Sequence, residues 1–382
     1  MKRFLFFTII FLCSHNIISA QNSDSLHVKI SLLTCAPGED LYTSFGHTAI
    51  RILDSSAHTD VVFNYGEFDF DVPDFYLKFI RGKLNYMLGA EYYDDFMYEY
   101  QTTQRSVTEQ DLNLNNEDKK FIIGFLQNNY LPQNRNYKYD FLYDNCATRI
   151  RDILFNKING VSLTTSIVQP NTSFRDLIYF YLDRSGQPWS KLGIDILLGA
   201  PVDKKLDNST SMFLPDFLSK GVSEATISGK PYVTAQRHLV IAHTTAQPAG
   251  KYVPLILISA ICILILAFYF FFRNNVFATH VIDSILLYIT GLPGLLLLFM
   301  WFGTDHQACK DNYNLLWALP TNFIAAFFIW KKRYRVKKYF LIVTVITLLL
   351  VICWWLLPQH FNIALLPFCI LMLFVYARLA RK

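Results

Sequence analysis

The chain is poor in what several function classes require. No spacing of cysteine, histidine and carboxylates suited to a metal ion is evident. No stripe of lysine and arginine with interleaved aromatics runs through the first 250 residues, so there is no nucleic-acid footprint. Seven cysteines occur in 382 residues, yet they offer no disulfide framework: Cys262, Cys353 and Cys369 fall inside apolar runs, and Cys13 sits in an N-terminal leader. That leaves Cys35, Cys146 and Cys309. The net charge is only +5, and much of it comes from basic residues beside apolar runs. Beyond residue 250 the chain has almost no soluble sequence.

What is present begins with a secretory signal. Lys2 and Arg3 precede the apolar stretch 4–12, and Ile18-Ser19-Ala20 offers a small-residue cleavage site, so residues 1–20 are expected to leave. Cys13 follows Leu12 rather than a small residue, which argues against a lipoprotein leader. Export places residues 21–250 in an oxidising compartment. A Cys35–Cys146 bridge is one outcome there, and it would disable the thiol discussed below.

Residues 251–382 read as an all-α transmembrane domain of about five helices, over 252–272, 281–303, 315–330, 339–357 and 361–376. Arg273 follows the first run, a cluster from Lys331 to Lys338 the third, and Arg378, Arg381 and Lys382 the fifth; the other loops hold only Lys310. This alternation predicts a multi-pass inner-membrane protein with its N-terminal domain periplasmic and its C-terminus cytoplasmic. The loop GTDHQACKDNYN shares the side of the soluble domain. Its Asp305 and His306 are candidate contacts to a substrate or lipid headgroup, or else parts of a hydrated loop. Asp283, inside the second run, is costly unless paired.

The soluble half reads as α+β. Residues 27–34 alternate as a strand. TAIRIL and VVFNYG flank the turn-like DSSAHTD as a hairpin, and helical spacing marks 118–130, 173–183, 213–219 and the segment opened by Cys146. His47 begins the first hairpin strand after Gly46, with Arg51 on the same face by period two; Arg51 is a candidate substrate contact. A cysteine at a helix start gains thiolate character from free backbone N–H groups and the helix dipole, and a nearby imidazole can take its proton. Cys146 is therefore the candidate nucleophile and His47 the candidate base. Asn64, on the second hairpin strand, is the candidate orienting group, with Asp60 the weaker choice. Cys35, in a turn, is the rival thiol.

At LLTCAPGEDLYTSFGHTAIRI, FNYGEFDF, DNCATRIRD, FLPDFL and TDHQACKDNYN followed by LLWALP, the chain resembles the Lnb family of Bacteroidetes lipoprotein N-acyltransferases. The resemblance covers most of the chain. It implies a permuted papain-like (LRAT-like) periplasmic domain in which the histidine precedes the cysteine, as His47 precedes Cys146. It also implies transfer of an acyl chain from a membrane phospholipid, through a Cys146 thioester, to the α-amine of a diacylated lipoprotein's N-terminal cysteine. No cofactor is required. A membrane-tethered cysteine peptidase or amidase acting on cell-wall peptides is the alternative.

Overall fold

The computed structural model describes residues 27–40, 43–241, 250–331 and 334–381. The expected signal segment 1–20 lies outside them, as do Lys332 and Arg333 of the basic cluster.

Strand β1 (Val28–Cys35) is buried along nearly its whole length, which suits a central strand covered on both faces. The hairpin expected from the sequence forms from β2 (His47–Asp54) and β3 (Thr59–Glu67), in register from Asp54↔Thr59 to Ala49↔Asn64. Strands β4 (Asn85–Tyr92), β5 (Val107–Leu112) and β6 (Asn136–Lys138) join the same sheet. A small second sheet holds β7 (Val161–Ser162), β8 (Thr226–Ile227) and β9 (Lys230–Pro231). With β10 (Val233–Val240) the main sheet has seven antiparallel strands in the order β10-β5-β1-β2-β3-β4-β6.

Period-two alternation sends the two sets of sheet residues to opposite layers. Helices α1 (Phe75–Ile80), α2 (Tyr93–Thr102), α3 (Asn116–Tyr130) and α4 (Cys146–Asn156) arise between the strands. On one face Ile30, Leu32, Ile50 and Phe63 pack against Ile122 and Leu126 of α3 and Ile150, Ile153 and Leu154 of α4. On the other, Leu33, Cys35, Ala49 and Val62 pack against Phe96, Met97 and Tyr100 of α2. A helical lobe follows: α5 (Phe174–Arg184), α6 (Pro188–Leu197), α7 (Asn208–Ser211) and α8 (Pro215–Glu224). The soluble half is thus α+β.

The C-terminal half is helical: α9 (Val253–Phe271), α10 (Val276–Phe302), α11 (Thr321–Phe328), α12 (Tyr334–Ile352) and α13 (Leu366–Arg381). Among the described residues, three helical stretches are long and apolar enough to cross a membrane: Val253–Phe271, Val276–Phe302 and Ile363–Arg381. The run 315–330, expected as one span, is not one helix. It divides into a 3-10 turn at Tyr313–Leu316 and the eight-residue α11, whose N-cap is Pro320. Eight residues rise only about 12 Å. The cause lies at the outer end, where the soluble domain pulls the chain out of helical register. Asn312 Nδ2 donates to the Ile196 and Leu197 carbonyls at 2.9 and 3.0 Å, and Asn314 Nδ2 donates to Ile196 O at 3.1 Å.

Asp283 is fully buried and finds its partners from two other helices: it is ion-paired to Arg378 of α13 and accepts from the Tyr269 hydroxyl of α9 at 2.7 Å. A paired carboxylate is tolerable at membrane depth, whereas a lone one is not.

The two halves are fastened together by backbone. Gly199 N–H donates to Ala308 O at 2.8 Å, Ala200 N–H to Asp311 O at 3.1 Å, and Asp305 N–H to Arg81 O at 2.9 Å. Gln359 Nε2 adds a bond to Leu198 O at 3.0 Å. The soluble domain is therefore held against the loop that follows α10.

A candidate cysteine–histidine active site

Cys146 is the first residue of α4, and the sequence around it builds a rigid helix start. Asn145 and Thr148 form a capping box. Asn145 Oδ1 accepts from Thr148 N–H at 2.9 Å, and Asn145 N–H donates to Thr148 Oγ1 at 2.7 Å. The buried Asn145 amide also donates to Phe141 O and Phe213 O at 2.7 and 3.0 Å. The cap thus satisfies the N3 donor and leaves the Ala147 N–H, at the second helical position, to donate to the sulfur.

His47 arrives from the start of β2. Gly46 before it has φ +77°, and a Cβ there would stand 2.6 Å from the Cys35 carbonyl. Only glycine lets the chain turn this tightly into β2. The His47 ring and the Cys146 sulfur are hydrogen-bonded, and the backbone N–H groups of Thr48 and Ala147 also donate to the sulfur. Burial alone would raise the thiol. The cationic imidazole and these donors outweigh it, so Cys146 lies below the ordinary cysteine range. The same pairing acts reciprocally on His47. Burial opposes its charge, but the thiolate and the bond to Asn64 raise its pKa above the ordinary histidine value.

Asn64 sits one strand away and is buried. His47 Nε2–H donates to Asn64 Oδ1 at 3.0 Å. Which way the amide points follows from its other end: Asn64 Nδ2 donates to Glu91 Oε1 on β4. With Nδ2 committed to Glu91, Oδ1 must face His47. His47 therefore carries its proton on Nε2 in the neutral form and turns Nδ1 toward Cys146.

Glu91 was not visible as a site residue in the sequence. It lies in NYMLGAEY, a strand without clear alternation, and reaches Asn64 only through the β3–β4 register. Its half-buried carboxyl is pushed up to about 7, first by burial and then by Glu67, Glu99 and Asp95. Tyr139 is a second residue of this kind. Like Cys146 it packs against the edge of the core, and it lies within electrostatic reach of the sulfur.

The other candidates fall elsewhere. Cys35 is free and wholly buried; burial pushes its thiol up to about 12, so no bridge to Cys146 exists and the thiol is inert. Asp60 lies further along the hairpin from His47 than Asn64 does. It pairs with Arg51, whose Nε and Nη2 donate to it at 2.8 and 2.5 Å. Arg51 also donates to Glu109 at 3.0 Å and lies 3.4 Å from the Tyr93 ring centroid. Its donors are thus spent inside the sheet, and it is not brought to the Cys146–His47 pair. Asp305 pairs with Lys138 at 3.6 Å, and His306 Nε2–H donates to Ile80 O at 3.0 Å. Both hold the soluble domain to the membrane half. No group of three or more potential metal ligands occurs among the described residues. A cleft of about 430 Å³ opens where α5 and α6 meet α9, lined in part by Tyr179, Lys191 and Lys251, and none of the Cys146 set lines it.

The Lnb N-terminal periplasmic domain matches residues 18–178, and the Lnb transmembrane domain matches residues 246–381. The chain belongs to the Lnb family. No curated protein and no solved structure shows a match. Family membership makes this a membrane protein with a periplasmic N-terminal domain, and it suggests an enzyme. The periplasmic match contains His47, Asn64 and Cys146, and the transmembrane match contains Asp305 and His306. The FLPDFL segment lies between the two matches, yet it supplies the Phe213 carbonyl that anchors Asn145.

Proposed function

We propose that the protein is an apolipoprotein N-acyltransferase with Cys146 as nucleophile, His47 as general base and Asn64 as the group that orients His47. The observation that carries this reading is the Cys146 thiol: depressed by an imidazole and two backbone donors, at the tip of a helix, in a domain fastened to apolar helices. The fold around it suits a permuted papain-like arrangement, with the histidine strand preceding the cysteine helix.

In this mechanism His47 Nδ1 takes the Cys146 proton and the thiolate attacks an acyl ester carbonyl of a phospholipid. The ester C–O bond breaks, the lysophospholipid oxygen takes the proton from His47, and an acyl-thioester remains on Cys146. The α-amine of a lipoprotein's diacylglyceryl-cysteine then attacks the thioester carbonyl. The C–S bond breaks, the amine proton returns through His47 to the sulfur, and an amide is released. The Thr48 and Ala147 N–H groups, which stabilise the resting thiolate, are the nearest donors for the oxyanion of each tetrahedral intermediate. Donor and acceptor both reside in a bilayer, and thioester-to-amide transfer is downhill without ATP.

Purified protein mixed with phospholipid vesicles is expected to accumulate a hydroxylamine-sensitive acyl adduct on Cys146. A peptide with a diacylglyceryl N-terminal cysteine should discharge it, and the same peptide acetylated at its α-amine should not. Intact-protein mass spectrometry reads both steps. Absence of any lipid adduct, together with Cys146-dependent cleavage of cell-wall peptides, would hand the site to a peptidase.

Five crossings with a cytoplasmic C-terminus complete the reading, supported by the basic residues after the first, third and fifth apolar runs. A topology reporter fused after Arg335 should behave as cytoplasmic and one inserted at Gln307 as periplasmic. A reversal at either position refutes this topology.

A further inference from the structure

Helix α1 contributes nothing to the soluble core: none of its residues is buried. Six residues cannot hold a helix by propensity, and its N-cap Asp74 makes no side-chain cap bond. Its C-terminal end is tied to the membrane half. Asp305 N–H and the His306 ring donate to the Arg81 and Ile80 carbonyls, which close the helix. Gly82 (φ +63°) allows this approach, since a Cβ there would lie 3.2 Å from the His306 ring.

Asp305 and His306 come two residues after α10, which ends at Phe302. Twenty-seven residues of helix span about 40 Å, more than the roughly 30 Å hydrocarbon core. The outer end of α10 therefore reaches the membrane–water interface, where Trp301 and Phe302 stack at 4.9 Å. Helix α1 is tied to that level. There it exposes Tyr76 (77%), Leu77 (54%), Phe79 (51%) and Ile80 (48%), beside Phe70 (69%). Lys78, Arg81 and Lys83 alternate with them and suit lipid phosphates. Apolar side chains crowded at an interface, with basic residues between them, have the chemistry of a segment lying in a bilayer surface.

The patch continues inward. Phe75 meets Phe68 with ring centroids 5.8 Å apart, Phe68 meets Tyr86 at 5.2 Å, and Tyr86 stacks on Tyr139 at 4.5 Å. Tyr139 in turn lies within electrostatic reach of the Cys146 sulfur.

We propose that α1 and Phe70 insert into the leaflet on the soluble domain's side, and that the Phe75–Phe68–Tyr86–Tyr139 run carries the donor's acyl chain from that leaflet to Cys146. The first part stands on geometry alone. The second rests on the acyl-transfer reading.

Two measurements on the full-length protein in phosphatidylethanolamine–phosphatidylglycerol vesicles test it. Leu77→Trp should add blue-shifted emission above the baseline of the native tryptophans, and lipids brominated on their acyl chains should quench that added signal. Emission that stays red and unquenched overturns insertion. In Tyr76→Ser/Phe79→Ser, thioester formation from vesicle phospholipid should fall about tenfold, the scale expected for losing one buried aromatic contact. Alkylation of Cys146 by iodoacetamide and its acylation by a soluble butyryl thioester should stay at wild-type rates. Loss of all three rates in the double variant would mean a misfolded domain and overturn the separation of α1 from the core. Unchanged phospholipid use overturns the acyl-chain route. If wild-type protein forms no thioester, the acyl-transfer reading and the route fall together, while the quenching result still decides insertion.

Discussion

Cys146→Ala is expected to lose the acyl adduct and all product. Where a nucleophile is removed from a comparable catalytic set, the loss in turnover is on the order of 10⁶, so the variant should sit at background. Cys35→Ala should keep activity within a few-fold of wild type. The contrast follows from surroundings rather than from the residue type. Both cysteines lie near the start of β2, and Cys35 pairs directly with His47 across the β1–β2 ladder. Yet Cys35 is closed in by Phe96, Met97 and Tyr100, and burial, only partly offset by the Tyr100 hydroxyl and Arg105, pushes its thiol up to about 12. Cys146 is also desolvated, but a cation and two backbone donors reach its sulfur. Intact mass after incubation with phospholipid, alongside a thermal melt to show that each variant is folded, checks the prediction. An adduct that survives in Cys146→Ala and vanishes in Cys35→Ala would move the chemistry to the buried thiol.

The parts of the fold that the sequence shows are those where one physical signal dominates. The β2–β3 hairpin has strong β-formers on both sides of a polar turn. Helix α4 has Asn145 before Cys146 and Ile150, Ile153 and Leu154 at helical spacing, so both its start and its buried face can be read directly. Strand β5 defeats such a reading. VTEQDL carries Glu109, Gln110 and Asp111, which look exposed, yet all three are buried in a strand covered by β10 on one side and β1 on the other. They are tolerated because Lys29 of β1, Arg237 of β10 and Arg51 of the more distant β2 come to pair Glu109 and Asp111, and because Gln110 bonds to Ser223 and the Ser219 carbonyl of α8. No local window contains that information.

The same limit explains Arg51. Its place on the His47 face was legible, but its engagement by Glu109, 58 residues away, was not. Glu91 is the converse case: a polar residue in an unremarkable strand that becomes part of the site because β4 pairs with β3. The third apolar run is split into two helical pieces for a related reason. Its composition suits a span, but Asn312 and Asn314 at its outer end are tied to α6 carbonyls more than a hundred residues back.

His47→Ala is expected to slow acyl transfer by about 10²–10⁴, the usual contribution of a positioned general base, and to change the pH dependence in a defined direction. In the wild type the imidazole lowers the Cys146 pKa, so thiolate reactivity toward iodoacetamide should already be present below the ordinary cysteine range. It should fall only as pH drops through that depressed value. Without the imidazole, burial remains and the largest opposing influence is gone. The reactivity onset must therefore move to higher pH, and each unit of displacement lowers the thiolate fraction at neutral pH tenfold, equivalent to about 1.4 kcal/mol. Acyl transfer by the wild type should also decline on the alkaline side. His47 must hold a proton to give to the departing lysophospholipid, and that proton is lost as pH rises through its raised pKa. Asn64→Ala isolates orientation from charge. It removes the acceptor for His47 Nε2–H but leaves the ring beside the sulfur, so turnover should fall further than the alkylation onset shifts. Rates of Cys146 alkylation and of thioester formation, each measured across pH for the three proteins, decide the matter. An unchanged alkylation profile in His47→Ala would show that the helix start and its backbone donors alone set the thiol, and His47 would lose its role as the base.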